Sequence, residues 1–162
     1  MALIKAQALV EDPFVPIAEG QPIPAAGDVL LELSRYEAAA SELAGRNGRV
    51  GVILPPDVSS DVLPGLVQQV QLLAIQFKAY TDGRGYSLAR RLRTQHGFKG
   101  ELRAVGEVLR DQLLYMQRCG FDAFELKAGK DVEGALAAFR EFSVSYQGSA
   151  QDPRPLYRRR TV

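Results

Sequence analysis

The chain reads as an α/β domain in which four strand–helix units pair in parallel, behind an N-terminal β segment. Three observations predict it. Short apolar runs recur at even spacing, over residues 50–54, 72–77, 101–105 and 121–126. Stretches of helical period separate them, and the links are only a few residues long. Strands joined by such crossovers pair in parallel with a right-handed connection, giving either a half (β/α) barrel or a small open parallel sheet. A half-barrel leaves edges and one sheet face bare, so a homodimer or the N-terminal segment is expected to cover them.

The elements follow in order. Residues 1–28 alternate weakly, with Leu3-Ile4, Leu9-Val10 and Phe14-Val15 apolar, and hold four of the nine prolines. They read as a short hairpin or edge strand and a loop. Residues 29–147 make the α/β domain, and 148–162 a basic C-terminal tail. Residues 29–44 read as helix, because Leu33, Tyr36, Ala40 and Leu43 recur at helical spacing and Gly45 or Gly48 can end it. Pro55-Pro56 stops the first strand. Ser59, Ser60 or Asp61 can cap the next helix, with Pro64 in its first turn. The second strand leads into Thr81-Asp82-Gly83-Arg84-Gly85-Tyr86-Ser87, where Ser87 opens a helix closed by His96-Gly97. Residues 107–119 read as a helix stopped by Gly120, and Asp131 caps the last one.

Composition narrows the setting. A hydrophobic fraction of 46% and a charged fraction of 24% over 162 residues suit one globular domain. No apolar run approaches the roughly 20 residues that span a bilayer, and the first residues lack the pattern of a signal peptide. The single cysteine, Cys119, can make neither an internal disulfide nor a structural zinc site, so a reducing cytoplasm is expected. The net charge of +1 hides an asymmetry: residues 1–80 hold five Lys/Arg against nine Asp/Glu, and residues 81–162 hold fifteen against ten. The excess in 84–103 and 154–160 suits a small anionic ligand or an acidic partner surface. No basic and aromatic motif of a nucleic-acid module occurs.

The turn Thr81–Ser87 is the strongest local feature. Parallel sheets bind ligands beyond the C-terminal ends of their strands, where this turn lies. Gly83 and Gly85 permit positive φ and close backbone approach, and the amides of the Ser87 helix offer positive charge to an anion. Arg84 adds a guanidinium able to grip a carboxylate, sulfate or phosphate at two points. The plainer reading is a tight turn in which Asp82 or Ser87 caps the helix and Arg84 faces water. In a second tier, Asp57, Glu107 and Lys127 follow successive strands, like Asp82, and are expected to come out on the same face of the sheet. Arg103 alternates with Leu102 and Ala104, and points into a barrel interior or at a ligand. Such a ring suits acid–base work or a divalent cation, yet Glu107 equally complements a helix start, and no metal site or cofactor fingerprint is assigned. His96 reads as a cap and Cys119 as a small buried hydrophobe.

The blocks Thr81-Asp82-Gly83-Arg84-Gly85-Tyr86-Ser87, Gly97-Phe98-Lys99-Gly100-Glu101-Leu102-Arg103-Ala104, Gly106-Glu107-Val108-Leu109-Arg110-Asp111-Gln112-Leu113 and Arg118-Cys119-Gly120-Phe121-Asp122 carry a resemblance. They resemble the bacterial domain of unknown function 934 family over roughly residues 29–147. Glu107 stands where the family usually has Asp, which keeps the charge and changes the reach. The resemblance implies a role near the sulfite reductase of assimilatory sulfate reduction, beside which the family is often encoded. The label oxidoreductase that the family sometimes bears comes without demonstrated chemistry. It also implies that Asp82, Arg84, Tyr86 and Arg103 belong to one site. Three functions compete: an accessory protein binding the reductase or a sulfur oxyanion, a small enzyme acting on a phosphorylated or carboxylated substrate, and a structural dimerisation module.

Overall fold

Alternation in the apolar runs resolves into strands with two unlike faces. The computed structural model describes residues 1–159. Its strands are β1 (Ala2–Lys5), β2 (Ala8–Val10), β3 (Phe14–Pro16), β4 (Asp28–Glu32), β5 (Val50–Leu54), β6 (Leu72–Phe77), β7 (Glu101–Gly106) and β8 (Ala123–Leu126). They form one sheet in the order β2-β1-β8-β7-β6-β5-β4-β3. From β3 to β8 all neighbours are parallel and in chain order, while β1 pairs antiparallel with β8 and β2 with β1. Crossovers of one hand, always advancing in one direction, keep the helices on one face, and the sheet curls into a half-barrel.

The helices are α1 (Leu33–Ala38), α2 (Ala40–Leu43), α3 (Leu63–Gln69), α4 (Arg84–Thr94), α5 (Leu113–Cys119) and α6 (Val132–Ala138). The main core joins Leu63, Leu92, Leu113, Met116 and Ala135 of these helices to Leu54, Leu73, Ile75, Phe77, Leu102 and Phe124 of the strands. Each fully buried Phe or Leu there contributes about 1.5–3 kcal/mol over exposure. The alternate strand residues Leu30, Leu72, Ala74 and Val105 pack with Phe14 in a separate inner cluster that contains no helical residue.

Several expectations hold in detail. Pro64 lies in the first turn of α3. Gly120 ends α5 at φ 118°, and the Asp131 carboxylate accepts the Gly134 amide at 2.9 Å. Others are corrected. Residues 28–32 are strand and not helix, adding a fifth strand–helix unit. Leu30 faces the inner cluster while Val29 and Leu31 face outward, so both sides are apolar and the period-two signal vanishes. Phe121 precedes β8, its amide bonded to the Met116 carbonyl behind Gly120. Of the segment 107–119 only Leu113–Cys119 is α-helix; residues 107–112 are a loop and a 3₁₀ turn (Arg110–Gln112). In the tail, Arg159 donates to the carbonyls of Ser145 and Arg154; Arg160 lies outside the described residues. No helix among the described residues is long and apolar enough to cross a membrane.

One connection sets the curvature. β2 and β3 lie at opposite ends of the sheet, yet only Glu11-Asp12-Pro13 separate Val10 from Phe14. Four residue steps reach about 14 Å at most. Laid flat, eight strands would hold their outer members about 33 Å apart. The short link therefore draws the two edges toward each other and encloses a lumen.

Candidate functional site

Inside the curl, the alternation that sends Leu102 and Ala104 outward sends Arg103 and Val105 inward. Arg103 is completely buried. Its Nη1 and Nη2 donate to Asp12 at 2.6 and 2.9 Å, and its Nε donates to Glu101 at 2.9 Å. Lys5 Nζ donates to the other Glu101 oxygen at 2.7 Å. The guanidinium also lies over the Phe14 ring, 5.8 Å from its centroid, and Arg49 lies over the same ring at 4.9 Å. Four charged groups from β1, β7 and the β2–β3 link thus close the end of the lumen nearer the strand N-termini.

Beyond this floor is a cavity of about 830 Å³, lined from all eight strands and flanked by Pro16 and Gly106 at the C-terminal ends of β3 and β7. Leu3, Leu9, Phe14, Leu30, Ile53 and Val105 make it mainly apolar, with Gln76 and Glu125 among its polar groups. Register explains their proximity. Gln76 pairs with Val105 and Leu3 with Glu125, and one further step of the β7–β8 register sets Glu125 beside Val105. Burial pushes the Glu125 carboxyl above the usual carboxylate range, Arg103 opposing and Asp12 adding to the effect. A second hollow of about 760 Å³ shares Pro16, Leu30 and Ile53 with the first.

The turn singled out from the sequence lies outside this lumen. Helix α4 begins at Arg84, not Ser87, and Gly83 has φ −80°. Neither Gly83 nor Gly85 takes a positive φ. Close approach does hold at Gly85, where a Cβ would sit 2.7 Å from the Phe77 ring. Tyr86 turns inward, its ring 5.3 Å from Phe77 and 5.2 Å from Tyr115, while Ser87 is exposed. Asp82 accepts from the Arg84 amide at 3.1 Å and from its Nε and Nη2 at 2.9 and 2.7 Å. Asp57 reaches Arg84 Nη1 at 3.6 Å. The structure therefore brings Asp57, Asp82 and Arg84 together, pairs Glu107 with Lys127, and sets Arg103 apart from both groups, its guanidinium bonded to Asp12 and Glu101. Sequence reading passed over Lys5, Asp12, Gln76, Glu101 and Glu125; the available signal was a polar residue at an inward position of an apolar strand.

The Arg84 side-chain hydrogen bonds, then its amide, hold the Asp82 carboxyl at about 2, against an ordinary 3.8. A carboxyl lowered on folding stabilises the fold above its unfolded value, and the contribution fades as pH falls from 3.8 toward 2. An NMR titration of Asp82 is expected to give a midpoint near 2 that moves toward 3.8 in Arg84→Ala. A midpoint unchanged by that substitution would contradict the pairing. Among the described residues no group of three or more His, Cys, Asp or Glu is placed to hold a metal ion.

The family model of a bacterial protein of unknown function, DUF934, matches residues 51–157. The chain belongs to DUF934. Neither a curated protein nor a solved structure matches it. In this DUF934 protein the matched span holds Gln76, Glu101, Arg103, Val105 and Glu125, whereas Asp12 and Phe14 precede it.

Proposed function

We propose that this DUF934 protein serves assimilatory sulfite reduction as an accessory protein that binds a small molecule in its lumen. The observation that carries the reading is the cavity of about 830 Å³ near the strand C-terminal ends. Its size lies within the roughly 300–1,000 Å³ of ligand sites, and its position is where such sheets take ligands. The link to sulfite reductase comes from the family resemblance. Deletion of the gene is expected to slow growth on sulfate and leave growth on cysteine unchanged. A Val105→Trp chain, its side chain filling the lumen, is expected to fold by circular dichroism and fail to complement. Normal growth of the deletion strain on sulfate defeats the sulfite role, and full complementation by a folded Val105→Trp chain defeats the lumen.

A second reading keeps a sulfur oxyanion at Arg84, favoured by one observation: among the described residues Nη1 is held only by the 3.6 Å ion pair with Asp57, on an exposed side chain. Calorimetry with sulfite and sulfate on the unaltered chain and on Arg84→Ala tests it. Heat that the substitution abolishes supports an anion there; identical traces remove it.

A further inference from the structure

The lumen contains two polar side chains that the fold itself leaves unused. Arg103 bonds Asp12 and Glu101, and Lys5 bonds Glu101, so each of these charges has a partner. In contrast, the Glu125 carboxylate and the Gln76 amide enter no hydrogen bond or ion pair among the described residues, although each is half-buried. They flank Val105 in one row across β6, β7 and β8, facing walls formed by Leu9, Val10, Leu30 and Ile53. A carboxylate partly withdrawn from water without a donor is costly, and the cost falls when a ligand supplies one.

The sign of the charge selects the ligand. Of the carboxylates lining this cavity, Asp12 is paired with Arg103, whereas Glu11 and Glu125 enter no ion pair among the described residues. The nearby cations Arg103 and Lys5 are occupied by Asp12 and Glu101. Arg103, although bonded to those carboxylates, still favours the ionised carboxyl of Glu125. A ligand ammonium placed against that carboxylate would act in the same sense at closer range.

Resting on the lumen-binding reading above, we propose that the lumen recognises a small amphiphilic amine, its ammonium held by Glu125, its polar neighbour bonded by Gln76, and its apolar body lying along Leu30, Ile53 and Val105. Affinity then requires ionised Glu125, so it fades as pH falls through the titration of that group, which burial raises, Arg103 opposing and Asp12 adding to the rise.

Calorimetry of the full chain with hexylammonium, hexanol and hexanoate tests this. At about pH 7, hexylammonium is expected to bind about tenfold tighter than hexanol, the margin of one charge-assisted hydrogen bond, and hexanoate weakest. Glu125→Gln, isosteric and checked for folding, is expected to remove that margin. Hexanol or hexanoate binding as tightly as hexylammonium overturns the ligand class while leaving the lumen a binding site. No binding by any of the three overturns the lumen reading itself. The ranking on the unaltered chain decides the matter even where a variant fails to fold.

Discussion

Arg103→Ala is expected to lower the unfolding free energy by about 3–5 kcal/mol in urea, the range for removing one partner of a buried charge network. The guanidinium is fully buried and satisfies two carboxylates, of which Glu101 is 8% exposed at its side chain and Asp12 31%. Without it, Glu101 keeps only Lys5, and Asp12 loses both of its charged donors. The link that draws β2 toward β3 is then released from the middle of the sheet. Hydrogen exchange should quicken at residues 8–16 more than in α4. Arg103→Lys keeps the charge but not the fork, so it is expected to recover less than half of the loss. A double-mutant cycle with Asp12→Ala separates this clasp from side-chain packing. A loss below about 1 kcal/mol for Arg103→Ala would mean that the curl stands without it.

That network marks where the sequence is informative and where it is not. The four strand–helix units were legible because β5 to β8 combine short apolar runs with turn chemistry at their ends, such as Gly120 and Asp131. β4 was not, since it is buried on both faces and runs from Glu32 directly into α1 at Leu33, with no turn residue to mark its end. The charge excess between residues 84 and 103 misled in a similar way. Arg93 is spent on the carbonyls of Phe98, Gly100 and Gly120 and on Asp122, and Arg103 on the floor of the lumen. A count of charges does not distinguish a guanidinium that binds backbone from one that faces a ligand.

The candidate site divides along the same line. Local contacts were readable: Asp82 accepts from the amide and the guanidinium of Arg84 two residues away, although the N-cap position itself is Gly83. The inward direction of Arg103 was also readable, from its alternation with Leu102 and Ala104. The lumen was not, because it depends on contacts such as Arg103 to Asp12, 91 residues apart. No local pattern reveals that a three-residue link must span from one edge strand to the other. Gln76 and Glu125 acquire meaning only once the register lays them in one row.

Gly106→Ala is expected to cost about 3 kcal/mol, combining a disfavoured backbone with a backbone collision. Gly106 has φ 94°, and a Cβ there would lie 2.4 Å from the Phe77 carbonyl oxygen. That oxygen accepts the Glu107 amide at 2.8 Å, so it cannot withdraw without breaking the bond that turns the chain out of β7. The positive φ adds about 1–2 kcal/mol for a residue with a side chain. Gly85→Ala meets the Phe77 ring at 2.7 Å with ordinary φ, and about 1–3 kcal/mol is expected from overpacking alone. Gly83→Ala meets nothing within 4 Å and is expected to change stability by less than about 0.5 kcal/mol. The measured order should be Gly106, then Gly85, then Gly83, read from urea midpoints at constant slope. Because Gly106 also lines the cavity, its substitution should weaken lumen binding together with stability, whereas Gly83→Ala should alter neither. A Gly83→Ala chain as damaged as Gly106→Ala would place the conformational demand in the loop before α4, against the geometry that puts it at the end of β7.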